Sequence, residues 1–141
     1  MSFFANDAWI PTTRSAENSE RLFVSTIKRQ KSNARLSGVV TYNGIAYLAG
    51  LTADNLTVAI KGQTEQILRK IDELLTLAGT DKSRLLSTTI YISDMRLKQQ
   101  MDEAWLAWID PQNTPARACV EARLGAPEIL VEIMVVAAQR E

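Results

Sequence analysis

Thr114-Pro115-Ala116-Arg117-Ala118-Cys119-Val120-Glu121-Ala122-Arg123-Leu124, then Gly125-Ala126-Pro127, then Ile129-Leu130-Val131-Glu132-Ile133-Met134-Val135-Val136-Ala137, reads as two strands joined by a tight connection. The first strand is unusual, because Arg117, Glu121 and Arg123 interrupt a run that otherwise looks buried. The second is apolar except for Glu132. A charge inside a buried strand is costly unless it is paired or used. Along the second strand Ile129, Val131, Ile133, Val135 and Ala137 point one way, and Leu130, Glu132, Met134 and Val136 the other, so both faces are apolar.

Outward from this pair, the chain supplies six further elements. Residues 22–28 (Leu-Phe-Val-Ser-Thr-Ile-Lys) are short and β-branched, a first strand. Residues 36–42 and 45–49 are a second and third, separated by Asn43-Gly44, the strongest short hairpin signal because both residues tolerate positive φ. Gly50 ends the third. From Val58 to Ala78 the apolar residues fall three or four apart (Ile60, Ile67, Ile71, Leu74, Leu75, Ala78), the mark of a helix with one buried face. Asp54 or Asn55 is placed to cap it, and Gly79 to stop it. Residues 85–92 form a fourth strand. Ser93-Asp94 then caps a second helix whose stripe is Leu97, Met101, Ala104, Trp105 and Trp108. Core packing is the favoured reading of the two Trp residues over a stacking platform for a ligand.

The order β-β-β-α-β-α-β-β predicts an α+β domain, a mixed sheet with both helices on one face. We expect an N-terminal extension at 1–21 and one domain at 22–141. With helices on one side only, the second apolar sheet face is expected to be buried in an oligomer interface.

Composition narrows the chemistry. The chain has 141 residues, 46% of them hydrophobic, enough for a real core. No apolar run approaches the ~18 residues of a membrane span, and the N-terminus lacks a signal peptide's basic start and apolar centre, so a cytoplasmic location is expected. Lys plus Arg equals Asp plus Glu, 16 each, which leaves no overall field for nucleic acid or an acidic membrane. The local cluster Lys28-Arg29-Gln30-Lys31 is read as a solvated strand end. A single Cys and no His exclude an intrachain disulfide, a thiolate metal cluster and any histidine base. No Gly-rich phosphate loop is present.

Three residues of the opening stretch remain as chemical candidates. Arg117 offers a rigid fork for a carboxylate, unless Glu121, Asp102 or Asp110 occupies it. Glu132 is a carboxylate placed to hold and activate water, unless it is paired for structural reasons. Cys119 shares a face with Arg117 but has no base to activate it, so a packed Cys whose backbone touches ligand is favoured over a nucleophile. With the turn near Ala126, Arg117 falls across from about residue 135 and Glu132 across from about 120. The two are then offset by roughly 10 Å. They bracket one small ligand, or they meet across a subunit interface.

Pro115 to Leu124 followed by Val131 to Ala137 resembles the C-terminal signature of the Rid family (reactive intermediate deaminases, YjgF-type), including the spacing from Arg117 to Glu132. Val39 to Gly50 resembles that family's second block, and Asp94 to Trp108 also fits. The resemblance covers about residues 23–139. It implies a chorismate-mutase-like fold assembled as a homotrimer, with ligand clefts between subunits, no cofactor and a small carboxylate-bearing metabolite as partner. It further implies hydrolysis of 2-enamino or 2-imino acids, such as 2-aminoacrylate, to 2-keto acids and ammonia. Arg117 would grip the carboxylate, Cys119 would offer its backbone, and Glu132 would orient the attacking water. Gly50, Leu36 and Asp102 would also line the cleft. Two positions depart from the best-known deaminases, which have Tyr at Leu36 and Asn at Asp102. Those departures suit the alternative of a trimer that holds a small carboxylate in the same cleft without turnover. Arg35 could supply a second basic group, with exposed surface the plainer reading. An RNA-directed activity, ascribed to some relatives, is disfavoured by the balanced charge.

Overall fold

Asn43 and Gly44 have φ of 54° and 81°, the pair of positive values a two-residue hairpin turn of the favoured hand requires. They join β2 (Ser37–Tyr42) to β3 (Ile45–Leu48), with Tyr42 paired to Ile45. The computed structural model describes residues 26–141. Around the hairpin lie β1 (Lys28–Ser32), α1 (Ile60–Leu77), β4 (Leu85–Ile92), α2 (Lys98–Trp108), β5 (Ala116–Glu121) and β6 (Val131–Ala138), in the expected order. The strands form one mixed sheet ordered β1-β2-β3-β6-β4-β5, in which only β4 and β5 pair in parallel.

Two expectations about the strands are corrected. Of the strand expected at residues 22–28, only Lys28 is in a strand among the described residues: β1 runs from Lys28 to Ser32 and is almost wholly exposed. The apolar run that suggested the strand has the better propensity, but an edge strand needs only backbone partners, and Lys28 to Gln30 find them on Thr41 to Val39. The basic cluster is therefore the edge strand itself, and lysines on an edge discourage pairing with another chain. Residues 22–25 and the expected extension at 1–21 lie outside the described residues.

The second correction concerns the opening stretch. β5 and β6 are not a hairpin, because β4 runs between them, parallel to β5 and antiparallel to β6. Residues 122–130 are not a tight turn but a connection that steps over the end of β4, where the Ala122 N–H donates to the Ile92 carbonyl and the Ser93 N–H to the Leu130 carbonyl. Gln63 fixes its path. This side chain is fully buried on α1, accepts from the Leu130 N–H at 3.1 Å and donates to the Glu128 carbonyl at 3.0 Å. A buried amide satisfied on both ends is a specific clamp.

The helices cover one face of the sheet. Val39, Ala46, Leu48, Ile90, Ile92, Val131, Ile133, Val135 and Ala137 are buried there with Ile67, Ile71 and Leu75 of α1 and Met101 and Trp105 of α2. Helix α1 ends as its sequence requires. Gly79 has φ of 77°, its N–H donates to the Thr76 carbonyl, and the Thr80 N–H reaches the Leu75 carbonyl, a Schellman motif. Neither Asp54 nor Asn55 caps α1, which starts at Ile60 without a side-chain cap. Asn55 instead accepts from the Thr57 N–H and hydroxyl. Asp94 does cap its element, accepting from the Arg96 N–H at the short 3-10 turn Met95–Leu97 that leads into α2. Among the described residues no helix is long and apolar enough to cross a membrane.

The face away from the helices is apolar and uncovered. Its rows, read from the register, are Val40, Tyr47 and Val136; then Met134, Thr89 and Ala118; then Glu132, Tyr91 and Val120. Tyr47, Met134 and Val120 are exposed there.

Candidate active site

Strand pairing decides where the two charged candidates stand. Arg117 pairs with Thr88, which pairs with Val135. Glu132 pairs with Tyr91, which pairs with Val120. The expected row assignments therefore hold, with β4 inserted between the two strands. Thr88 and Tyr91 are three residues apart, so Arg117 and Glu132 are offset by about 10 Å along the sheet and by about two strand spacings across it. Because side chains alternate, an odd offset puts them on opposite faces. Arg117 faces the helices and Glu132 faces the open side. A single chain does not bring them into one cleft.

Each heads its own cluster. Arg117 lies near the edge of the sheet beneath α2. Its Nη1 donates to Asp102 Oδ1 at 2.7 Å and its guanidinium sits over the Trp105 ring, 5.5 Å from the centroid. Asp102 Oδ2 accepts in turn from Lys98 Nζ at 2.6 Å. Of the three partners considered for Arg117, the structure selects Asp102. Glu121 accepts the Met95 N–H, and Asp110 holds Gln112 and Asn113. Burial pushes the Asp102 carboxyl up, but the hydrogen bonds from Arg117 and Lys98 outweigh it and hold the pKa below the ordinary carboxylate value. Two cations thus share one anion. The Arg117 side chain is 24% exposed, pinned from one side by a carboxylate and from another by an indole, with the rest of its fork without a protein acceptor among the described residues. A fork held in place in this way is suited to an anionic acceptor.

Cys119 lies one pleat along β5 on the same face, half-buried. Burial pushes its thiol up against the opposing pull of Arg117 and Lys98. It remains a protonated thiol at neutral pH, which agrees with a packed Cys rather than a nucleophile.

The second cluster is on the open face. Gly50 follows β3, and the neighbouring Leu51 exchanges two backbone hydrogen bonds with Ile133. A Cβ placed on Gly50 would collide with the Glu132 carboxylate and lie 3.2 Å from its Cδ, so the bare backbone is what lets the carboxylate lie there. Tyr91 stands directly opposite Glu132 on β4. Leu36 precedes β2 and is 51% exposed, and Arg35 beside it is exposed as well. A surface recess of about 700 Å³ lies past the end of β5, lined by Ser93, Glu121, Arg123, Leu124, Ala126 and Ile129. Neither Arg117 nor Glu132 lines it.

The structure brings Arg117, Cys119 and Asp102 together, and Gly50 and Glu132 together. Sequence reasoning missed Lys98, Trp105 as the floor under Arg117, and Tyr91. The first had a visible signal, since Lys98 and Asp102 are four apart on a helix and so neighbours on its surface. Tyr91 had none, because its position opposite Glu132 depends on β4 being the central partner.

Comparisons with known proteins bear on the family and the fold. The profile of the family described as endoribonuclease L-PSP matches residues 26–139. A RutC family protein of Haemophilus ducreyi is 44% identical over 74% of this chain and 89% of its own. The crystal structure of a YjgF-family protein from Neisseria meningitidis superposes with a TM-score of 0.81 at 38% identity, over 83% of this chain and 98% of that one. The chloroplastic Reactive Intermediate Deaminase A of Arabidopsis thaliana is 27% identical over 74% of this chain and 58% of its own. With a family profile across nearly all of the described residues and relatives of this identity and coverage, the chain belongs to the Rid family, also called RutC or YjgF-type.

Proposed function

We propose that the protein hydrolyses reactive 2-enamino and 2-imino acids to 2-keto acids and ammonia, in clefts formed between neighbouring copies of a homotrimer. The observation that carries this reading is the division of the site. Arg117 with Cys119 faces one side of the sheet at its β5 edge, and Glu132 with Gly50 faces the other. The two halves complement each other only if one chain contributes the grip and another the carboxylate. The uncovered apolar face around Tyr47, Met134 and Val120 is the surface such an assembly would bury.

In this cleft the Arg117 fork holds the substrate carboxylate and the Cys119 backbone steadies it. An enamine first tautomerises to its imine. Glu132 accepts a proton from water as the water oxygen bonds to the imine carbon, and passes it to the nitrogen as the C=N π bond breaks. The resulting carbinolamine collapses as Glu132 takes the hydroxyl proton and returns it to the nitrogen, the C=O bond forms, and the C–N bond breaks to release ammonia. An imine carbon is already electrophilic, so positioning and one carboxylate base suffice. No step uses a nucleophilic Cys119, in keeping with its protonated state. Leu36 adds no hydroxyl to the cleft, and Asp102 acts through Arg117 rather than on the substrate.

The test is keto-acid release from imino acids generated in place by an amino-acid oxidase. Acceleration over the uncatalysed rate that is lost in both Arg117→Met and Glu132→Gln is the expected result. Folded protein with no acceleration refutes the deaminase reading. Arg117-dependent carboxylate binding without turnover would instead support the non-catalytic binding trimer.

A further inference from the structure

Asp102 carries one negative charge and holds two positive ones, Arg117 through Oδ1 and Lys98 through Oδ2. The cluster is therefore left with a net positive charge. The acids nearest in sequence form no ion pair with it among the described residues: Glu103 pairs with Lys61, and Glu121 accepts from the Met95 N–H. Lys98 is 41% exposed, and Asp102 is its only protein acceptor among the described residues, so two of its three N–H donors are free to meet a ligand. Because both cations flank one carboxylate, their nitrogens lie within about 8 Å of each other. A single carboxylate on the Arg117 fork leaves Lys98 unanswered. A second acidic group a few bonds away answers it.

We propose that Lys98 is a specificity-determining residue, and that the cleft prefers ligands with two acidic groups, namely 2-imino acids whose side chain ends in a carboxylate, over monocarboxylates. This rests on the Arg117 cleft described above and names its substrate class. Arg117 takes the carboxylate next to the reacting carbon, and Lys98 takes the distal one. Asp102 sets the spacing between the two cations. The preference is moderate, because Lys98 is partly exposed and shares its charge with Asp102; about tenfold in affinity is expected.

The experiment is equilibrium binding by calorimetry of two product-like probes, 2-oxobutanoate and 2-oxoglutarate, to the full-length protein and to Lys98→Met, Lys98→Arg and Arg117→Met. The dicarboxylate is expected to bind about tenfold more tightly. Lys98→Met should weaken 2-oxoglutarate more than 2-oxobutanoate and so abolish that preference, Lys98→Arg should restore it, and Arg117→Met should weaken both probes. Equal affinity of the two probes for the wild-type protein overturns the inference. So does an equal loss of both in Lys98→Met, which would make Lys98 only a partner of Asp102. In either case Arg117-dependent binding of 2-oxobutanoate leaves the cleft itself standing. A preference without turnover would uphold Lys98 and refute the deaminase reading, and binding of neither probe refutes both the inference and the carboxylate grip.

Discussion

Gly50→Ala separates catalysis from stability at one atom. Gly50 does not use the left-handed region, so alanine fits its backbone. Removing a glycine from an unstrained position stabilises by about 0.4–1 kcal/mol through the unfolded chain. The three atoms nearest the new Cβ all belong to the Glu132 side chain, whose Cδ and Cγ would lie 3.2 and 3.5 Å away. The carboxylate is the flexible end, so it retreats by about 1 Å to restore ordinary contact. A displacement of that size at a reacting group costs up to about a hundredfold, and ten- to a hundredfold corresponds to about 1.4–2.7 kcal/mol of barrier. The assay pairs steady-state kinetics of imino-acid hydrolysis with thermal unfolding. The expected outcome is kcat lowered about ten- to a hundredfold with Tm unchanged or slightly raised. Wild-type kcat in a folded Gly50→Ala protein would show that the Glu132 carboxylate does not sit where the chemistry occurs. A parallel fall in Tm would show that the glycine serves the fold instead.

Other substitutions probe the remaining parts. Asp102→Asn keeps an oxygen for Arg117 but removes the charge; the loss of about 1 kcal/mol should raise KM roughly fivefold with kcat little changed. The pH dependence has a definite sign. The Asp102 pKa is depressed on folding, so its contribution to stability is present above the ordinary carboxylate pKa of about 4 and is lost as pH falls through the lower folded value. The Tm difference between wild type and Asp102→Asn should therefore be constant above about pH 4 and shrink below it. Cys119→Ala should retain most of the activity, since the thiol is protonated and only its backbone is used; loss of more than about tenfold would restore a chemical role to the sulfur. Ile133→Ala, at a fully buried position in β6, should cost about 2–5 kcal/mol in denaturant unfolding, and a cost below about 1 kcal/mol would place Ile133 outside the core.

The parts of this molecule that local chemistry dictates were legible in its sequence. Asn43-Gly44, Gly79 and the spacing of Ile60, Ile67 and Ile71 act over a few residues, and each appears where the residues demand. Element order and the one-sided helices followed from the same patterns. What stayed hidden depended on distant partners. The polar run Lys28–Ser32 became a strand only because β2 offers it a backbone edge. Glu132 and Arg117 were read on neighbouring strands because an apolar run on either side of Gly125-Ala126-Pro127 resembles a hairpin. The insertion of β4 leaves no trace in that stretch; it rests on pairing with residues 85–92, and the path of the connection over its end is held by Gln63, 65 positions from Glu128. Glu132 does interrupt a strand buried on one face, but β5, which carries Arg117, is exposed along nearly all its length, against the expectation of a buried run; the row offset between the two charges survived. Their opposite faces, and hence the division of the site, required the topology.

That division is the central claim, and subunit complementation tests it most directly. Arg117→Met and Glu132→Gln proteins, each inactive alone, would be unfolded together, refolded at equal ratio, and assayed after mixed assemblies are verified by mass spectrometry. If each cleft takes Arg117 from one chain and Glu132 from another, about a quarter of the clefts in randomly mixed closed rings carry both intact residues, and about a quarter of wild-type activity should return. Verified mixed assemblies with no activity beyond the single variants would mean that both residues act within one chain, contradicting a site shared between copies.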